Sequence, residues 1–177
     1  MKVHKVIKEK VKRDYFFAEG TLDINSDYFT KQIERGIQET NNVSHKTAVR
    51  GFMTSTEYFL NDMEFIKILQ PLLDLIDENF NKSPVYFLEH AWGYKEGFAN
   101  YTVEHSHEGC FLSGVIYLNN HTQKLIFPEI KKEILPKKGG FVLFSPFLLH
   151  KTKRNITEKF KYGLAFNWNI NRYFDML

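Results

Sequence analysis

His105-Ser106-His107-Glu108-Gly109-Cys110-Phe111-Leu112-Ser113-Gly114-Val115-Ile116-Tyr117-Leu118-Asn119 is the stretch on which the fold turns. Successive side chains of an extended strand alternate faces, so His105 and His107 are expected to point the same way from backbone positions about 7 Å apart. Two imidazoles so placed can reach one ion, and the run from Phe111 to Leu118 reads as the buried strand that follows them. A second apolar run, Leu135-Pro136-Lys137-Lys138-Gly139-Gly140-Phe141-Val142-Leu143-Phe144-Ser145-Pro146-Phe147-Leu148-Leu149-His150, ends on another histidine. If that strand lies beside the first, His150 completes a facial set of three ligands with coordination positions left open.

From Trp92 onward the order is an aromatic strand with a Gly-containing turn (HAWGYKEGFANY), then HSHEGCFLSGVIYLN, LIFPEI, LPKKGGFVLFSPFLLH and EKFKYGLAFNWN. This succession resembles the 2-oxoglutarate- and Fe(II)-dependent oxygenases, in particular a branch in which H-x-H leads into an S-G-V-x-Y-L strand and a later F-x-P-x-x-x-H segment carries the distal histidine. Arg50-Gly51-Phe52-Met53-Thr54-Ser55 sits where that branch has a Gly-aromatic-x-Ser segment before a helix. The resemblance is loose before residue 85 and tight after it. It implies a mainly β fold with flanking helices around a double-stranded β-helix, or jelly-roll, core. It also implies Fe(II) held by His105, His107 and His150, 2-oxoglutarate as cosubstrate, and dioxygen-dependent hydroxylation of a further, unidentified substrate with release of succinate and CO2.

Two departures from the family's pattern matter. The commonest motif is H-x-D, with aspartate as the one carboxylate ligand, whereas this chain has His107 in that place. Three neutral imidazoles leave the metal with one positive charge more than two imidazoles and a carboxylate. Glu104 and Glu108 fall on the opposite face of a regular strand and are expected at a solvated rim. The last strand typically presents an arginine to the distal carboxylate of 2-oxoglutarate, and here that place holds Lys161. Lysine keeps the charge without the bidentate fork. Arg154 and Arg172 are the alternative cations. Tyr117 stands where relatives offer a hydroxyl to the cosubstrate, and Asn167 joins Lys161 as a candidate cosubstrate contact.

The last strand is also the clearest case of period-two patterning. Phe160, Tyr162, Leu164, Phe166 and Trp168 form one bulky face, expected against helices. Lys161, Gly163, Ala165, Asn167 and Asn169 form a smaller, polar face with one cation, as a wall facing an anionic ligand requires. Upstream, residues 2–17 read as one or two outer strands. Asn25 or Ser26 caps a helix carrying Phe29, Ile33 and Ile37 that ends near Asn41-Asn42. A second helical region begins near Thr56 or Asp62 and carries Phe65, Ile66, Leu69, Leu72, Leu73 and Ile76, with Pro71 kinking it or starting a new helix.

At 177 residues the chain is long enough for one substantial core and short for two, so residues 1–177 are expected to form a single domain, with 1–83 as outer strands and supporting helices and 84–170 as the jelly-roll core. No apolar run is long enough to span a membrane, and the charged start MKVHKVIKEKVKR has no apolar signal core, so a cytoplasmic protein is expected. A net charge of +3 with no long basic tract gives no indication of a nucleic-acid partner. Cys110 is the only cysteine, which excludes an intrachain disulfide, and it reads as a small buried hydrophobe. His90 reads as a hydrogen-bonded core residue; His4, His45 and His121 carry no assignment. Trp92, Phe98, Tyr101 and Phe147 are candidates for the flanks of a substrate entrance. Two rival readings stand beside the oxygenase: a three-histidine, cupin-type metalloenzyme that does not use 2-oxoglutarate, and a non-enzymatic jelly-roll binding or structural protein.

Overall fold

The computed structural model describes residues 13–40, 47–80 and 85–171. Its elements run, in chain order, β1 (Phe17–Thr21), α1 (Ser26–Glu39), β2 (Val49–Arg50), β3 (Phe52–Met53), α2 (Met63–Asn79), β4 (Val85–Glu96), β5 (Tyr101–Thr102), β6 (Leu112–Tyr117), β7 (Leu125–Phe127), β8 (Lys132–Ile134), β9 (Gly140–Phe144), β10 (Lys151–Thr152) and β11 (Lys161–Asn171). The fold is mainly β with two helices among the described residues. Of the outer strands expected over residues 2–17, positions 1–12 lie outside the described residues, and β1 begins only at Phe17.

Both helices start where capping chemistry puts them. Asn25 Oδ1 accepts from the Tyr28 amide at 3.1 Å and Asp62 Oδ1 from the Phe65 amide at 2.9 Å, each satisfying an amide that the first turn leaves without a partner. The other carboxylate oxygen of Asp62 accepts from the Tyr28 hydroxyl at 2.8 Å, tying the two helix starts together. Pro71 neither breaks α2 nor starts a new helix. It sits on the exposed side, where the carbonyl that loses its amide partner can turn to water. Ile66, expected on the apolar stripe, is 42% exposed.

A six-stranded sheet in the order β1-β9-β6-β11-β4-β3 forms the centre of the molecule. One of its faces carries the helices: Phe29 and Ile33 of α1 and Phe65, Leu69, Leu72 and Ile76 of α2 are buried in one cluster with Ile116, Leu143, Leu164, Phe166 and Trp168. Each fully buried side chain of this size contributes roughly 1.5–3 kcal/mol, so this interface supplies much of the driving force for folding. At Gly93 on β4, a β-carbon would run into the Ile33 side chain, so glycine is what lets α1 lie this close to the sheet.

Two small sheets, β10-β7-β8 and β2-β5, lie on the opposite side. Val49, Leu125 and Phe127 from them share a second cluster with Tyr94, Val115, Tyr117, Val142 and Phe144 of the large sheet. The patterning of β11 sorts its side chains between these two layers. Tyr162, Leu164, Phe166 and Trp168 face the helices, as expected. Phe160 does not: it precedes the strand, is 43% exposed, and holds the Lys95 ammonium over its ring at 4.2 Å. On the other face Lys161, Ala165 and Asn167 line a cavity between the layers. Asn169 lies beyond it, its amide donating to Glu89 and to the Gly109 carbonyl.

Candidate metal centre

His105 and His150 are brought together by backbone alone. They form an isolated antiparallel bridge in which the His105 amide donates to the His150 carbonyl at 3.1 Å and the His150 amide to the His105 carbonyl at 3.0 Å. His107 is placed by its own amide, which donates to the Pro146 carbonyl at 2.7 Å. The H-x-H stretch is therefore not the regular strand expected from alternation. It is a bridge followed by irregular backbone and a turn at Glu108-Gly109, where Gly109 has φ +111°. The outcome for the side chains is nevertheless convergence. One ring nitrogen of each histidine lies within 4.8 Å of the others, and ring centroids are separated by 4.2 Å (105 to 150), 4.8 Å (105 to 107) and 5.0 Å (107 to 150).

Two of the three rings have their tautomer fixed. His105 Nδ1 lies 2.8 Å from the Val103 carbonyl and His150 Nδ1 lies 2.9 Å from the Leu148 carbonyl. A carbonyl only accepts, so Nδ1 carries the proton and Nε2 keeps its lone pair for a ligand. Burial also holds the cluster neutral. It pushes His107 down to about 4, helped by the facing charges of His105 and His90, and His150 down to about 3, helped by His105. His105 is lowered for the same reason, against the opposing effect of its carbonyl bond. Phe144, Phe127 and Trp92 surround the rings at centroid distances of 4.8 Å and 5.7 Å from His150 and 6.3 Å from His107. Three uncharged imidazoles in an apolar setting are the donor set that suits a first-row divalent ion.

The cavity on which the histidines open has about 60 Å³ of room for water centres, several times what a single water needs. Its walls hold Tyr94, Thr102, Tyr117, Thr152, Lys161 and Asn167 beside apolar residues. The Tyr117 hydroxyl is buried without a hydrogen-bond partner, and burial, with the Glu96 charge second, raises its pKa. A buried hydroxyl without a partner is costly, and this one stands as a ready donor to a ligand. Asn167 has its oxygen engaged, accepting from the Ser113 hydroxyl at 2.9 Å.

Lys161 lines the cavity as expected of a candidate cosubstrate contact, and it already has an anionic partner. Its side chain is fully buried and ion-paired with Glu96, which is itself 0% exposed and whose other oxygen accepts from the Thr102 hydroxyl at 2.9 Å. Glu96 was not among the residues the sequence singled out, although a signal existed. Trp92, Tyr94 and Glu96 are alternate residues of one strand face, the first two line the cavity, and antiparallel pairing of β4 with β11 sets Glu96 opposite Lys161.

The remaining candidates are dispersed. Glu104 pairs with Lys151 at 2.8 Å on the surface and Glu108 is exposed, and neither belongs to the ligand cluster. Arg154 is exposed and stacks its guanidinium over Tyr101 at 5.2 Å, away from the cavity, and Arg172 lies outside the described residues, as do His4 and His45. Cys110 is half-buried and its thiol, raised in pKa mainly by burial, donates to the His107 carbonyl at 3.1 Å. His121 bonds the Lys159 carbonyl at 3.1 Å and is not part of the ligand cluster. His90, expected in the core, instead lines a groove that adjoins the cavity and shares Val49, Trp92, His105, His107 and Asn167 with it. Of the aromatic residues expected at an entrance, Trp92 lines both spaces, while Phe98, Tyr101 and Phe147 line neither.

No protein-family profile matches the chain, and no curated protein matches its sequence. Solved structures do. The viral collagen prolyl hydroxylase of Paramecium bursaria Chlorella virus-1, in its 2-oxoglutarate complex, superposes with a TM-score of 0.65 over 86% of this chain and 94% of that one at 14% identity. A Pseudomonas putida prolyl-4-hydroxylase gives 0.66 over 88% and 92% at 12% identity. HygX from Streptomyces hygroscopicus, with nickel, 2-oxoglutarate and hygromycin B bound, gives 0.61 over 90% and 84% at 11% identity. The chain shares the fold of these proteins. At such identities the likeness speaks for architecture, and the chemistry of this chain rests on its own side chains.

Proposed function

We propose that the protein is an Fe(II)- and 2-oxoglutarate-dependent dioxygenase built on a double-stranded β-helix, with residues 1–177 as one domain, acting on a further substrate of undetermined class. The observation that carries this reading is the convergence of three neutral imidazoles, two with Nε2 freed by carbonyl bonds at Nδ1, on a cavity that holds a buried ammonium and an unpartnered tyrosine hydroxyl. It sits on the fold of proteins whose structures contain 2-oxoglutarate and metal.

The residues present fit both groups. His105, His107 and His150 hold the metal. An ammonium has three donors, so Lys161 has capacity beyond Glu96 to meet the distal carboxylate of 2-oxoglutarate, with the Tyr117 hydroxyl as the second donor and Asn167 on the adjoining wall. The charge also matches. The histidines are neutral and Lys161 cancels Glu96, so a divalent ion would give the site about +2, which an anionic 2-oxo acid offsets. When bound, the iron and 2-oxoglutarate with dioxygen supply the oxidising equivalent, 2-oxoglutarate leaving as succinate and CO2. The chain's own contribution is orientation: carbonyl-held imidazoles fix the ion, Lys161 and Tyr117 fix the cosubstrate's far end, and Trp92 and Phe144 keep bulk water from the ion. The groove lined by His90, Trp92 and Thr56 is the approach for the second substrate.

One observation favours a second reading, a three-histidine metalloenzyme that does not use 2-oxoglutarate: the cation meant for the distal carboxylate already has an anionic partner. Oxygen uptake by the Fe(II)-loaded protein separates the two. Uptake that requires 2-oxoglutarate and yields succinate mole for mole supports the dioxygenase, and uptake indifferent to it supports the rival.

A further inference from the structure

Glu96 is a residue that cavity formation alone does not require. It is 0% exposed yet not itself part of the cavity lining, and it reaches the cavity through two residues that are: it is ion-paired with Lys161 and accepts from the Thr102 hydroxyl. Burying a carboxylate is costly unless it is paired and hydrogen-bonded. Had the position served packing alone, an apolar residue would have extended the face begun by Trp92 and Tyr94. What the carboxylate changes is the charge on the part of the cavity wall that Lys161 forms. Without it, Lys161 presents an uncompensated ammonium to whatever lies against it; with it, that wall is formally neutral and still offers hydrogen-bond donors.

We infer that Glu96 is a specificity-determining residue, which by neutralising Lys161 removes the cavity's preference for a 2-oxo acid with an anionic far end over one with an uncharged far end. This rests on the reading that a 2-oxo acid occupies the cavity. An ion pair and an incoming carboxylate compete for the same ammonium, so a dicarboxylate gains from Lys161 only what Glu96 leaves. A monocarboxylate of the same length loses nothing by the competition. The donors that remain, from Lys161 and from the unpartnered Tyr117 hydroxyl, accommodate a carboxylate, an amide or a hydroxyl alike. The consequence is a cavity whose choice of 2-oxo acid is set by length and hydrogen bonding more than by charge.

The test compares 2-oxoglutarate with 4-cyano-2-oxobutanoate, which has the same five-carbon chain with an uncharged, hydrogen-bond-accepting nitrile in place of the distal carboxylate. Affinities are measured calorimetrically under anaerobic conditions on the Fe(II)-loaded protein and on its Glu96→Gln variant. The parent is expected to prefer 2-oxoglutarate by less than about ten-fold, and Glu96→Gln to raise that preference by about ten-fold or more, with 4-cyano-2-oxobutanoate binding nearly unchanged. The parent measurement needs no variant and stands even if Glu96→Gln does not fold. A parent preference of about ten-fold or more, or an unchanged ratio in a folded variant, overturns the inference while leaving the 2-oxoglutarate reading in place. Binding of 2-oxoglutarate by Glu96→Gln but not by the parent upholds the inference and removes 2-oxoglutarate as the native cosubstrate. If neither protein binds either acid, both the inference and the 2-oxoglutarate reading are overturned.

Discussion

Replacing Lys161 with methionine keeps most of the side-chain volume and removes the charge, leaving Glu96 as a buried carboxylate with only the Thr102 hydroxyl for a partner. Both members of the pair are buried, at 1% and 0% exposure, so solvent cannot take over the role of the lost cation. Removing one partner of a buried ion pair costs about 3–5 kcal/mol, whereas replacing both by uncharged side chains of similar size is close to neutral or stabilising. Lys161→Met is therefore expected to lose about 3–5 kcal/mol, and Lys161→Met with Glu96→Gln to return to within about 1 kcal/mol of the parent. For a chain of this length each kcal/mol moves the melting temperature by about 2–4 °C, so the single variant should melt roughly 6–20 °C lower. Urea unfolding of the metal-free proteins, with thermal melts alongside, measures both effects without involving iron. A single variant as stable as the parent, or a double variant as unstable as the single one, would refute the claim that Lys161 and Glu96 act as a buried pair.

His105→Ala and His150→Ala are each expected to abolish stoichiometric iron binding while leaving the far-ultraviolet circular dichroism unchanged, because the bridge between them is made by backbone; full iron occupancy in either would remove that residue from the ligand set. His107→Asp should retain iron, since a carboxylate oxygen is an acceptable Fe(II) ligand, and metal analysis after anaerobic reconstitution reads the result directly. Burial lowers the pKa values of His105, His107, His121 and His150, so the unfolded chain holds more protons than the folded one below the ordinary histidine value of about 6.5. The metal-free protein should accordingly be most stable above about pH 6.5 and lose stability as the pH falls toward the folded values, about 4 for His107 and about 3 for His150. A urea midpoint that rises from about pH 7.5 to about pH 5.5 would contradict this.

The histidines and the layering were legible in the sequence because each leaves a local pattern. The alternation from Tyr162 to Trp168 identifies a strand with one face on helices, and Asn25 and Asp62 announce the helix starts they cap. His150 was found at the end of the apolar run that contains β9, and its facing of His105 follows from the isolated bridge between them. What escaped was set by tertiary contact. The irregular backbone at Ser106 and His107 has no signature in alternation, because it is held by the Pro146 carbonyl from a distant segment. Glu96 drew no assignment from the sequence, since only the register of β4 against β11 places it on Lys161. Pro71 starts no new helix, and α2 runs through it, because its position on the exposed side makes the missing hydrogen bond cheap.

The most direct test of the central claim is an anaerobic titration of 2-oxoglutarate into the Fe(II)-loaded protein, followed by the visible metal-to-ligand absorption band that a chelated 2-oxo acid produces. The account predicts a band that saturates at one equivalent and is lost in His150→Ala. Iron bound at one equivalent with no band at any 2-oxoglutarate concentration would contradict it.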